Sequence, residues 1–315
     1  MVTWACLLLL APSVGCTGVQ RLGAREFHAL LHDGGSPGPG DLVATFFATT
    51  LGDAILLELP SGATLLVDAG VGWQVGSILR YLEARGIGRL DGLLLTHPHM
   101  DHYGGMRALV EAVPVGAFYC NGVSAGTSAY AALEAALAGR GVPTRALRRG
   151  DRLDDLTGPG ATIEVLYPDE PALSLRDDLN CGSVVLRVTH GRQRLLLMGD
   201  AEAEEEERLL ALDGAAGLKA DVLKLGHHAS FGSGTPAFLR AVHPRVAIAQ
   251  GTEFLDVPLF FPRPCHSVRR GLGELGVPIL TTYRHGAVQV VSTGASLRWR
   301  TVFGSTPRRH PLRAS

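Results

Sequence analysis

From residue 42 onward, apolar residues come in short runs punctuated by glycine, proline and small polar residues. The run at 43–59 reads as two strands broken at Leu51-Gly52-Asp53, 64–68 as a third, and 92–95 as a strand apolar on both faces. Positions 75–85 carry the spacing of an amphipathic helix, and 130–137 reads as another. Strands are expected at 161–167, 183–189 and 194–198, the last two forming a hairpin that turns at His190-Gly191. A strongly charged helix follows at 203–212, then strands at 222–225 and 246–249 flanking a helix at 236–242. A helix at 267–275 and strands near Ile279, Val288 and Leu297 close the pattern. No repeat period is visible. Strands early and late, with helices inserted among them, predict an α/β sandwich of two sheets with helices on both outer faces. Periodicity alone does not separate that from other α/β folds.

At 315 residues, 46% of them hydrophobic, the chain can bury one large core or two small ones. Its expected division is a leader at 1–16, a short helix and Gly/Pro linker at 17–40, a folded domain at 41–304 and a tail at 305–315. The apolar run at 4–14 suits the core of a signal peptide and is too short to span a bilayer. It ends in Ser13-Val14-Gly15-Cys16, similar to a bacterial lipoprotein cleavage site, so export with lipid attachment at Cys16 is expected. That anchor would be the membrane contact. A formal net charge of -1 advertises no nucleic-acid patch. Cys120, Cys181 and Cys265 have neither zinc-knuckle nor disulfide spacing and read as isolated core or near-site cysteines.

The chemistry concentrates in Thr96-His97-Pro98-His99-Met100-Asp101-His102, directly after Leu93-Leu94-Leu95. Residues two apart in an extended segment point the same way, so His97 and His99 can grip one metal. Asp101 and His102 follow on a turn that Gly104-Gly105 let bend, and can reach a second ion nearby. Two ions so held share a bridging hydroxide, the expected nucleophile, and polarise the electrophilic oxygen. H-x-H-x-D-H arises by chance in roughly one such chain per thousand. Asp200 and the pair His227-His228 also follow apolar runs, which places them at strand ends on the same rim. Asp200 suits a carboxylate between two cations, although it could instead cap the helix that follows. Adjacent residues of an extended chain face opposite ways, so one of His227 and His228 is expected on metal and the other toward substrate.

The H-x-H-x-D-H segment resembles the signature of the metallo-β-lactamase superfamily, an αββα sandwich. Residues 41–293 are similar to the hydrolase domain of ComEC-type competence proteins. Leu51-Gly52-Asp53-Ala54-Ile55-Leu56 resembles the opening turn of that domain, and Leu65-Leu66-Val67-Asp68-Ala69-Gly70 its second strand, whose Asp supports a metal-bound His. Leu196-Leu197-Met198-Gly199-Asp200 resembles the segment of the bridging Asp, and Asp221-Val222-Leu223-Lys224-Leu225-Gly226-His227-His228 the element that supplies a His to the second metal. The resemblance thus implies metal ligands at His97, His99, Asp101, His102, Asp200 and His227 or His228, with Asp101, Asp200, His227 and His228 taking part in catalysis. Asn180 and Ser183 match positions behind the ligands, as Asp68 does. Many relatives place another His on the first metal before Asp200; here that interval holds only His190, at the hairpin. The first ion should therefore be open to water or substrate oxygen, with manganese competing with zinc.

In Phe261-Pro262-Arg263-Pro264-Cys265-His266, Arg263 stands where the resemblance puts a site His, and His266 lies three residues on. The planar guanidinium suits two phosphate oxygens, so Arg263 and His266 are candidate substrate contacts. The expected activity is two-metal hydrolysis of a phosphodiester, small or an oligonucleotide. A lactone or amide hydrolase on the same metals, or a metal-binding module of low activity, are the alternatives.

Overall fold

The central strands of this chain have two faces to bury, and their alternation decides which of three apolar layers a side chain enters. The computed structural model describes residues 37–169, 178–251 and 263–303. In chain order the strands are β1 (Leu42–Phe46), β2 (Ile55–Glu58), β3 (Thr64–Val67), β4 (Leu90–Leu94), β5 (Val115–Cys120), β6 (Thr144–Ala146) and β7 (Ala161–Tyr167). They continue as β8 (Val185–His190), β9 (Gln193–Leu197), β10 (Val222–Lys224), β11 (Val246–Ala249), β12 (Ile279–Thr281), β13 (Val288–Ser292) and β14 (Leu297–Thr301). Eight strands form one sheet in the order β14-β13-β1-β2-β3-β4-β5-β6, and six form the other as β12-β11-β10-β9-β8-β7. Both are mixed: β3 to β6 run parallel in the first, and β9 to β12 in the second.

The helices are α1 (Val75–Ala84), α2 (Met100–Tyr103), α3 (Met106–Ala112), α4 (Ser128–Gly139), α5 (Asp154–Thr157), α6 (Ala203–Leu218), α7 (Pro236–Val242), α8 (His266–Glu274) and α9 (Thr282–His285). Between the sheets lie Phe46, Ile55, Leu57, Val67, Leu94, Val165, Leu186, Leu195, Leu197, Val222 and Ile248. Leu66, Leu93 and Leu95 point the other way, onto Ile78, Leu82, Leu109 and Leu133 of α1, α3 and α4. Leu196, Met198 and Leu223 likewise meet Leu209, Phe238, Leu239 and Leu272 of α6, α7 and α8. Burial on both faces is why the runs at Leu93 and Leu196 lack polar alternation.

Expected elements and observed ones agree within a few residues, with two strands unforeseen. β5 mixes glycine and small residues without alternation, and β6 is a three-residue edge strand exposed throughout, held by its pairing to β5. The expected leader, the expected short helix after it, most of the linker and the tail lie outside the described residues. No helix among the described residues is long and apolar enough to cross a membrane.

Candidate metal centre

Strands β3 and β4 of one sheet and β9 and β10 of the other end at one rim, each followed within a few residues by a chemically active segment. Asp68 leaves β3, Thr96 to His102 leave β4, Gly199-Asp200 leave β9, and Gly226 to His228 leave β10. Carboxyl ends of parallel strands are where open α/β sheets build sites. The turn before β2 adds Asp53 to the same rim, because Ile55 is paired with Val67.

The side chains converge. His97 Nε2 lies 3.0 Å from His99 Nδ1 and 3.8 Å from Asp200 Oδ2. His102 Nε2 is 3.2 Å from Asp200 Oδ2 and 4.0 Å from Asp101 Oδ2. His228 Nε2 completes the ring, 3.2 Å from Asp200 Oδ2 and 3.6 Å from Asp101 Oδ2. Two groups, His97-His102-Asp200 and Asp101-His102-His228, have ligand atoms close enough to hold a cation each. Asp200 Oδ1 and His228 Nε2 are buried without a hydrogen-bond partner among the described residues. Buried polar atoms are nearly always satisfied, so these two suit a ligand, and a nitrogen and carboxylate donor set suits a divalent metal.

A fixed partner turns most of these rings. Thr96 donates its hydroxyl to Asp68 Oδ2 at 2.7 Å and its N–H to Asp68 Oδ1 at 2.8 Å. The same hydroxyl lies 3.1 Å from His97 Nδ1, which leaves Nε2 facing the rim. Asp68 Oδ2 is also 2.8 Å from His102 Nδ1, as the resemblance implied. Ser183 accepts from the Asp200 N–H at 3.1 Å, so it too sits behind the cluster. Asn180 lies half-buried in the turn before β8, its Oδ1 without a partner among the described residues. Asp200 does not cap α6: Glu202 does, with Glu205 closing the capping box.

The expectation of an extended backbone at His227-His228 fails. His227, His228 and Ala229 all have left-handed φ, of 40°, 55° and 61°. Asp68 is left-handed as well, and among the described residues only His243 shares this conformation outside the rim without being glycine. Strain of this kind costs about 1–3 kcal/mol per residue and clusters at functional sites. The turn buries His228 among the acids and leaves His227 partly exposed, its Nδ1 against Glu202 and its Nε2 4.0 Å from Asp200 Oδ2. Two glycines permit the approach. A Cβ on Gly52 would lie 1.5 Å from the Asp101 carbonyl oxygen, and one on Gly226 2.1 Å from that of Ala201.

Electrostatics without metal follow from burial against pairing. Burial pushes the His97 imidazole well below its usual range, and neighbouring His102 adds to that. For His102, burial also opposes the charge, but Asp200 and Asp68 outweigh it and hold the ring well above its usual value. His228 is raised to about 10 in the same way, Asp200 and Asp53 prevailing over burial. Burial would raise the carboxyls of Asp101 and Asp200, yet contacts with His228 and His102 hold both low. The low carboxyls of Asp101 and Asp200 and the raised His102 and His228 rings thus favour each other's charge.

Arg263 and His266 do not join the cluster among the described residues. Arg263 is half-buried, its carbonyl accepting from the Tyr283 hydroxyl at 3.3 Å, and His266 is exposed at the start of α8. Their segment does abut the site, since the Cys265 N–H donates to Ala229 O at 2.9 Å. Sequence reasoning missed Asp53, Thr96, Glu202 and Lys224. The Gly-Asp-Ala turn was the available signal for Asp53; Glu202 stands just before the expected charged helix at 203–212, with nothing in the sequence to set it apart.

A family model described as the metallo-beta-lactamase superfamily matches residues 49–251. Competence protein ComA of Neisseria gonorrhoeae is 31% identical over 293 residues, 90% of this chain and 37% of that protein. Recombination protein 2 of Haemophilus influenzae is 32% identical over 239 residues, and ComE operon protein 3 of Bacillus subtilis 30% over 215. Those matches cover 74% and 67% of this chain, but 27% and 26% of the relatives. The chain thus spans about a quarter to just over a third of the curated relatives it matches. The metallo-beta-lactamase fold protein YhfI from Bacillus subtilis aligns over 80% of this chain and all of its own, with a TM-score of 0.52 at 13% identity. That likeness shows the fold.

Proposed function

The chain belongs to the metallo-beta-lactamase superfamily, and from that premise we propose that it hydrolyses a phosphodiester with two divalent cations at the rim. One observation carries the reading: the donors of His97, His99, Asp101, His102, Asp200 and His228 face one another, while the far nitrogens of His97, His102 and His228 lie beside Thr96, Asp68 and Asp53, and Ser183 accepts from the Asp200 N–H. His97 and His99 would hold one ion, Asp101, His102 and His228 the other, and Asp200 would lie between them. Bound there, the cations would supply Lewis acidity and an activated water.

The chain's own residues do the rest. Asp68 holds His102, and Thr96 holds His97, so their Nε2 atoms need no reorganisation to accept a cation. His227, partly exposed and braced by Glu202, stands beside Asp200 where a substrate oxygen would approach. With His190 tied to Ser292 at the far hairpin, no His from the interval between His102 and Asp200 reaches the His97-His99 side among the described residues. That openness leaves room for substrate oxygen and favours manganese alongside zinc. Relatives named for competence and recombination support a phosphodiester as the bond cleaved.

The test is metal content with turnover on bis-p-nitrophenyl phosphate and on a neutral lactone. Two ions per chain and metal-dependent release of p-nitrophenol are expected, and His97→Ala should abolish turnover with the circular dichroism unchanged. Turnover of the lactone alone would overturn the substrate class, and a chain that binds no metal would overturn the reading altogether.

A further inference from the structure

Lys224 is the one lysine or arginine that is buried among the described residues. On β10, Leu223 points outward to the helices, while Val222 points between the sheets, and Lys224 shares that inward face at the strand's rim end. Its ammonium contacts Asp53 Oδ2 and donates to the Gly199 carbonyl at 3.1 Å. Asp53 belongs to the first sheet's turn, and Lys224 and Gly199 to the second sheet. The ion pair therefore crosses between the sheets directly beneath the site.

Asp53 has a second neighbour. Its Oδ1 is 3.2 Å from His228 Nδ1, close enough for an ion pair though out of line for a hydrogen bond. The opposite nitrogen of that ring faces Asp101 and Asp200. Asp53, Asp200 and His228 also have ligand atoms close enough together to hold a cation themselves. Two roles are thus open to Asp53: support for His228, or metal ligand in its own right.

We propose that Lys224 is a positioning residue that decides between them. By occupying one oxygen of Asp53 it keeps this carboxylate behind His228, with Nδ1 toward Asp53 and Nε2 toward the metal. Without the ammonium, a buried carboxylate with no cation of its own turns to the nearest positive charge, which is the ion. His228 then loses its support, and its side of the rim is disordered. This rests on the reading of the rim as a metal site.

The experiment measures metal affinity of the intact chain by competition with a fluorescent chelator, corrected to the folded fraction. Lys224→Met is expected to weaken the ion held by His228 roughly 10–100-fold, the usual effect of removing such support, and to leave the ion at His97 and His99 in place. Lys224→Arg, which keeps the charge, should recover part of the loss. Because breaking one partner of a buried pair can unfold a protein, Lys224→Met with Asp53→Asn removes both charges at once and should show the same loss. A purely structural role predicts a lower melting temperature with normal affinity in the folded fraction. Unchanged affinity in Lys224→Met or in the double variant, or losses that add in the pair, would overturn the proposal. A wild-type chain that binds no metal would instead overturn the reading beneath it.

Discussion

Asp68 Oδ2 stands 2.8 Å from His102 Nδ1 across 34 residues of sequence, both groups fully buried. The same carboxylate accepts from the Thr96 N–H and hydroxyl, and so steers His97 as well. One acid at the end of β3 thus orients a ring on each side of the rim.

Asp68→Asn keeps an acceptor for the Thr96 N–H but removes the charge facing His102. Metal affinity should fall roughly 10–100-fold, read by chelator competition, with little change in secondary structure. Affinity equal to wild type would show that the His102 ring needs no such partner.

Asp200 lies within 4.0 Å of His97, His102, His227 and His228, whereas Asp101 comes that close to His102 and His228 alone among the described histidines. Asp200→Asn is therefore expected to lose most bound metal, and Asp101→Ala to lose one ion preferentially. Elemental analysis of the purified variants checks both. Two ions per chain in each would mean that the site is misplaced.

Glu206 on α6 is fully buried and accepts the N–H groups of Gly234 and Thr235 at 2.6 and 2.7 Å, at the entry to α7. Burial pushes its carboxyl up to about 7, against the pull of those hydrogen bonds. A folded value above the unfolded one means that the stabilisation is complete below about 4.5, drains away as pH rises, and is gone above about 7. The loss across that window should reach up to ~3 kcal/mol. Urea unfolding as a function of pH should show this slope in the wild type and not in Glu206→Gln. Parallel profiles would refute the assignment.

Arg263 enters the segment whose Cys265 N–H is bonded to Ala229, the residue after His228. If its guanidinium clamps a phosphoryl group, Arg263→Ala should lower kcat/KM on a phosphodiester at least a few-fold, and up to about a hundred-fold. A neutral lactone should be spared. Unchanged kinetics on the phosphodiester would sink the clamp.

The residue types of the candidate metal centre, their order and their place at strand ends were legible in the sequence, because each follows from local pattern. An apolar run such as Leu93-Leu94-Leu95 or Leu195-Leu196-Leu197 must be a buried strand, and a polar cluster just after it must emerge at the strand's carboxyl end. The choice between His227 and His228 was not legible, because it turns on three successive left-handed residues that no propensity predicts. Nor were β5 and β6, whose sequences carry little periodicity and which exist through pairing to a neighbour. Lys224 and Asp53 stand in two motif segments far apart in the chain, and neither segment says that the two meet. Only the stacking of one sheet on the other brings them together, since a buried ammonium persists only where a carboxylate from elsewhere in the chain meets it.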